Sequence, residues 1–142
     1  MSCGRLAVPE PGRTKPVSAA QVRTYAAKAE EFAEAAASDP AAGRNVAATS
    51  LAVHAGINAA DAVCGARLGK RAAGQVHDQV LLLLRQAGPD GAEVERVLRR
   101  LLPLKTRAEY EPDDIAPSTA AKAVERAQVC ATAARRVATT TR

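Results

Sequence analysis

Three short stretches of this sequence hold residues that could do chemistry. The first is the series His54, Asn58, Asp61 and Gly65, spaced by four, three and four residues, which places all four on one face of a helix. The surrounding residues are Ala, Val and Ile. An imidazole, an amide and a carboxyl in that setting either meet solvent, form a hydrogen-bonded set at a helix interface, or serve a reaction. The second stretch is Arg67 to Asp78, RLGKRAAGQVHD, which gathers Arg67, Lys70 and Arg71, two glycines and His77. It lies where a helix is expected to begin. Backbone amides at a helix start favour an anion, and neighbouring cations add to that field; a solvated basic turn followed by a helical histidine uses the same residues. The third is Leu104 to Tyr110, LKTRAEY, in which Lys105 and Tyr110 flank a charged turn containing Arg107. A tyrosine there can anchor the loop to the helices beneath it.

Several constellations are missing from the sequence. It has no CxxC pair, no HExxH, no Walker-type phosphate loop and no Ser-His-Asp set with workable spacing. Two histidines are too few for most zinc sites, because Cys3 lies in the N-terminal arm. No metal and no cofactor is therefore expected. Cys64 and Cys130 fall among small apolar helical residues and read as buried thiols of a reducing compartment. Residues 1–18 lack the apolar centre of a signal peptide, and no apolar run approaches the roughly 20 residues that span a bilayer. The expected location is cytoplasmic, with no membrane contact.

The elements that would position these residues follow from composition and periodicity. Hydrophobic residues make up 47% of the 142 and aromatics only 2%, so the core is one of Ala, Val and Leu, which suits closely packed helices better than a sheet. The expectation is all-α: one up-and-down bundle of four to five helices over residues 18–142, preceded by a disordered arm over residues 1–17, rich in Pro, Gly and charge. Ser18 should cap helix one. Asp39-Pro40 should open helix two, directly or after a break at Gly43, and the helix runs to about Leu68 with Val46, Val53, Ile57, Ala60, Cys64 and Leu68 as its apolar line. Gly69-Lys70-Arg71 reads as a turn. Helix three carries Val76, Val80, Leu83, Leu84 and Ala87 and ends at Gly88-Pro89. Pro103 should kink or close helix four, and Ser118 should cap the last helix. Leu83→Asp and Ile57→Asp are both expected to unfold the domain. The formal charge is +5 and the pI near 9.5, which leans toward an anionic partner. Because Arg5, Arg13, Lys15 and Arg142 lie in the ends, the body itself is nearly neutral. Tyr25, Phe32 and Tyr110 are too few for a base-stacking platform.

The segment AVHAGINAADAVCGARLGKRAAGQVHDQVLLLL, followed by LLPLKTRAEY and an Ala-rich helix containing AVERAQ, resembles the HEPN superfamily, in particular its small actinobacterial members. The resemblance covers about residues 46–137. It implies a homodimeric helical domain and, in many members, a metal-independent ribonuclease of toxin–antitoxin, abortive-infection or other defence systems, whose signature is an Arg, four to six residues, then His. Arg71 and His77 are separated by five. The histidine would move a proton at the RNA 2′-hydroxyl or leaving oxygen and the arginine would stabilise phosphoryl charge, with Lys70, Lys105 and Arg107 as RNA or phosphate contacts and His54, Asn58 and Asp61 in support. In active members the motif lies late, near the turn before the last helix. Here Lys105 stands near the arginine position and Tyr110 near the histidine position. The resemblance thus also implies an alternative: a non-catalytic accessory module that dimerises and binds a nucleotide, an antitoxin or a nucleotidyltransferase-like protein.

Overall fold

The computed structural model describes residues 12–41, 43–74 and 77–141, apart from the side chains of residues 39–41. Along the chain run a short strand β1 (Thr14–Pro16), helices α1 (Ala19–Ala41) and α2 (Asn45–Leu68), strand β2 (Lys70–Ala72), and helices α3 (His77–Arg85), α4 (Gly88–Tyr110) and α5 (Pro117–Thr140). The protein is an all-α bundle with a two-stranded ribbon attached. α2 is central and packs against α1, α4 and α5. Ala48, Ala52, Ala55, Ala59 and Ala62 are fully buried along it, and because alanine ends at Cβ, three neighbours can approach its backbone at once.

Burial on nearly every side explains why the apolar line expected for α2 accounts for only three of its twelve buried residues. Val53, Ala60 and Cys64 are buried, but Val46 is 39% exposed and Ile57 and Leu68 are half-buried. The large buried side chains come from elsewhere: Leu83 and Leu84 of α3, Leu98 and Leu101 of α4. Two glycines of α2 admit the α4 leucines and the chain start. A Cβ at Gly56 would lie 2.8 Å from Leu98 Cδ1, and one at Gly65 would lie 2.6 Å from Val17 Cγ1 and 3.0 Å from Val22 Cγ2. Gly65 therefore ends the polar series as a packing residue. Gly65→Leu is expected to push Val17 and Val22 off α2 and lower stability by about 1–3 kcal/mol, read as a shift of the urea midpoint.

Helix boundaries partly follow local rules. Ser18 caps α1 as expected: its Oγ accepts from the Gln21 N–H at 3.2 Å, while Gln21 Oε1 accepts from the Ser18 N–H at 2.9 Å, a reciprocal capping box. α2 ends at Gly69, left-handed with φ 72°, whose N–H returns to the Gly65 carbonyl.

Other boundaries differ from expectation. Asp39-Pro40 belongs to the last turn of α1 and does not open α2; the chain breaks at Gly43, with φ 77°. Gly88-Pro89 opens α4, since α3 already stops at Arg85. Pro103 neither closes α4 nor precedes a turn. The helix continues to Tyr110, because the buried Leu101, Leu102 and Leu104 on both sides of the proline hold it against the bundle. Ser118 lies inside the first turn of α5; the capping position is Ala116, with no side-chain bond, and Pro117 begins the helix.

The arm expected to be disordered over residues 1–17 is ordered at its C-terminal end. Thr14–Pro16 pairs antiparallel with Lys70–Ala72 in the register Thr14↔Ala72, Lys15↔Arg71, Pro16↔Lys70, so Lys70-Arg71 forms a strand where a turn was expected. The Ala73 N–H donates to the Arg13 carbonyl at 2.8 Å and the Val17 N–H to the Gly69 carbonyl at 2.9 Å. Alternate residues 13, 15 and 17 thus face the partner strand, and Pro16 falls where its missing N–H would point away. Residues 1–11, and Val76 of the expected helix three, lie outside the described residues.

Candidate functional site

A pocket of about 230 Å³ opens where β2, α2, α3 and α4 meet, and Asp61, Arg71, His77 and Lys105 all line it, with Ile57 and Leu102 among its apolar walls. Each polar residue reaches it from a different element. Asp61 comes from about two turns before the end of α2, Arg71 from the middle of β2, His77 from the first position of α3, and Lys105 from the penultimate turn of α4. The two sequence stretches around His77 and Lys105 therefore converge, although α4 is helical where a turn was expected.

Arg71 is held without being satisfied. Its guanidinium lies 5.9 Å from the centre of the Tyr25 ring, a cation–π contact that fixes its direction, and its Nη1 donates to the Ala72 carbonyl at 3.2 Å. A guanidinium carries five N–H donors, so most remain for a ligand. His77 is half-buried and faces the pocket rather than the core. Burial pushes the Asp61 carboxyl from 3.8 up to about 7, against the opposing pull of the Arg71 guanidinium. At neutral pH this carboxyl can therefore both give and take a proton.

That shift is also a statement about stability. The native protein keeps the Asp61 proton at pH values where the unfolded chain has already released it, so stability falls as pH rises from about 4 through 7. Asp61→Asn removes the penalty. Its urea midpoint should exceed the parent's at pH 8, by about 1–3 kcal/mol once partial screening by water is included, and match it near pH 4.

The remaining candidate residues lie elsewhere. His54 Nε2 is 3.4 Å from Glu109 Oε1, and its ring centre is 5.6 Å from that of Phe32, so it bridges α1, α2 and α4. Asn58 donates to the His54 carbonyl at 2.9 Å, a bond within its own helix. Of the polar series, only Asp61 reaches the pocket. Lys70 leaves β2 on the face opposite Arg71, as alternation along a strand requires. Arg107 and Tyr110 are exposed on α4; at about 100° per residue they sit about 200° and 140° round the helix from Lys105. Tyr110, 75% exposed, does not anchor anything to the bundle. Cys64 and Cys130 are buried, with thiols pushed up to about 12 chiefly by that burial, which leaves them unreactive near neutral pH.

Sequence reasoning misses Tyr25, which enters it only as one of three aromatics too few for base stacking; no local signal marks it as the platform for Arg71. No three His, Cys, Asp or Glu side chains gather to hold a metal ion among the described residues, and none of the described helices is long and apolar enough to cross a membrane. Compared with known protein families and with curated proteins, the sequence finds no match.

Proposed function

We propose that this protein is a HEPN-like effector that binds RNA and cleaves it without a metal, acting in the cytoplasm as a homodimer within a toxin–antitoxin or defence system. What supports this reading is the single pocket that brings Arg71, His77, Asp61 and Lys105 together from four elements. In it, Arg71 and Lys105 hold the phosphoryl oxygens and offset the charge that builds on them. His77 takes the proton of the 2′-hydroxyl or returns one to the leaving oxygen. Asp61, titrating near neutrality within the electrostatic reach of Arg71, can exchange a proton with the same site. The test is incubation of the protein with a mixed RNA pool in EDTA, where cleavage is the expected result. Intact RNA would remove the nuclease reading.

A second reading draws on the late segment. Tyr110 and Arg107 point into solvent outside the pocket, and no histidine stands there. An accessory HEPN module that dimerises and binds a nucleotide, an antitoxin or a nucleotidyltransferase-like partner would need no base at that position. Nucleotide binding with RNA left intact would favour it.

A further inference from the structure

Several carboxylates of the described residues are already paired with arginines. Asp90 accepts from Arg67 at 2.6 Å and from Arg136 at 2.9 Å, Glu95 from Arg85 and Arg99 at 2.9 and 2.6 Å, and Glu30 lies 3.1 Å from Arg135. Among the described residues no carboxylate comes within ion-pair distance of Lys15, Arg71 or Lys105. Lys15 and Arg71 are moreover direct cross-strand partners. Residues so paired have Cβ atoms about 5 Å apart on one face of the ribbon, and like charges there repel. An anion seated between them reverses the sign of that interaction. Lys15 is exposed and Arg71 half-buried at the pocket wall, so the pair forms a step from the pocket to the surface.

We propose that the N-terminal strand is part of the binding site, and that Lys15 and Arg71 together bind a phosphate group adjacent to the one held in the pocket. The inference rests on reading the pocket as a phosphodiester site and names the direction in which the nucleic-acid strand leaves it: over β1. The β1–β2 hydrogen bonds fix the register of the two cations, so a residue fifty-six positions before Arg71 joins the same site.

The experiment compares the full-length parent with Lys15→Gln, Lys15→Arg and Lys122→Gln, the last removing an exposed cation of α5. The probes are a short fluorescent oligoribonucleotide with 2′-O-methyl sugars, which cannot be cleaved, and inorganic tripolyphosphate, each titrated across a salt series. Lys15→Gln should weaken oligonucleotide binding several-fold and reduce the slope of log affinity against log salt by about 0.7. Lys15→Arg should restore both, and Lys122→Gln should change neither. Parent-like binding by Lys15→Gln, or an equal loss in Lys122→Gln, overturns the proposal; the pocket reading then stands if Arg71→Ala still loses binding. Tripolyphosphate binding that depends on Lys15, with no oligonucleotide binding, keeps the Lys15–Arg71 site and removes RNA as its ligand. If the parent binds neither probe, both readings fall.

Discussion

The Arg71→Ala/His77→Ala double variant is expected to lose at least a hundredfold of the RNA cleavage that the parent shows in EDTA. Proton transfer by a positioned side chain contributes about 10²–10⁴ to such a rate, and removing an electrostatic contact to the developing charge costs about 10²–10³ more. The two losses should not add fully, because both residues act on one phosphoryl group in one pocket. Arg71→Lys is informative beside them. It keeps the charge but loses the planar fork and the stacking on Tyr25, so it should recover binding more than rate. Among the described residues the Arg71 side chain makes one hydrogen bond, to the neighbouring Ala72 carbonyl, and His77 sits at the first position of α3, so neither truncation should disturb the bundle. Circular dichroism and sizing of each variant check this. Equal cleavage by parent and double variant would place the activity elsewhere or in a contaminant.

Leu83→Asp is expected to abolish cooperative unfolding. Leu83 is fully buried between α3 and the bundle, and truncating a buried leucine alone costs about 2–5 kcal/mol. Placing an unpaired carboxylate there adds a desolvation cost of several kcal/mol more, against a total stability of about 5–15 kcal/mol for a domain of this kind. Ile57→Asp, which the apolar line of α2 marks as equally damaging, should behave differently. Ile57 is half-buried and lines the pocket beside Arg71 and Lys105, where a carboxylate meets water and cations. That variant should melt cooperatively, with a loss of about 1–2 kcal/mol, and should weaken phosphate binding through its charge. Thermal melts followed at the helical dichroism band separate the two. A cooperative Leu83→Asp transition near the parent's would mean that α3 does not pack as described.

The contrast between these two residues shows where sequence reading stops. α3 carries Leu81 to Leu84 in succession, so large apolar side chains point several ways round a short helix and burial of some of them is assured whichever face meets the bundle; Leu83 and Leu84 are fully buried. α2 offers no such guide. Its alanines are small enough to be buried on any side, so periodicity could not tell which face meets α1, α4 or α5, nor that Ile57 borders a pocket. The polar series His54, Asn58 and Asp61 suffers the same limit: shared helical phase is local, but whether the face meets Phe32 and Glu109, or Arg71 and His77, depends on which neighbours arrive there.

What the sequence determined by itself is therefore what depends on neighbours a few residues away. The helical class, the Ser18–Gln21 box, the left-handed stop at Gly69 and the gathering of cations and His77 ahead of α3 all rest on short-range chemistry. Only the tertiary structure decided that Pro103 stays within α4, because the cost of one lost helical bond is offset by leucines packed on both sides. It also decided that Thr14–Pro16 closes onto Lys70–Ala72 and that Asp61, Arg71, His77 and Lys105 share a pocket. Each of these is a contact between residues far apart in the chain, set by the packing of whole elements, and no local propensity encodes it.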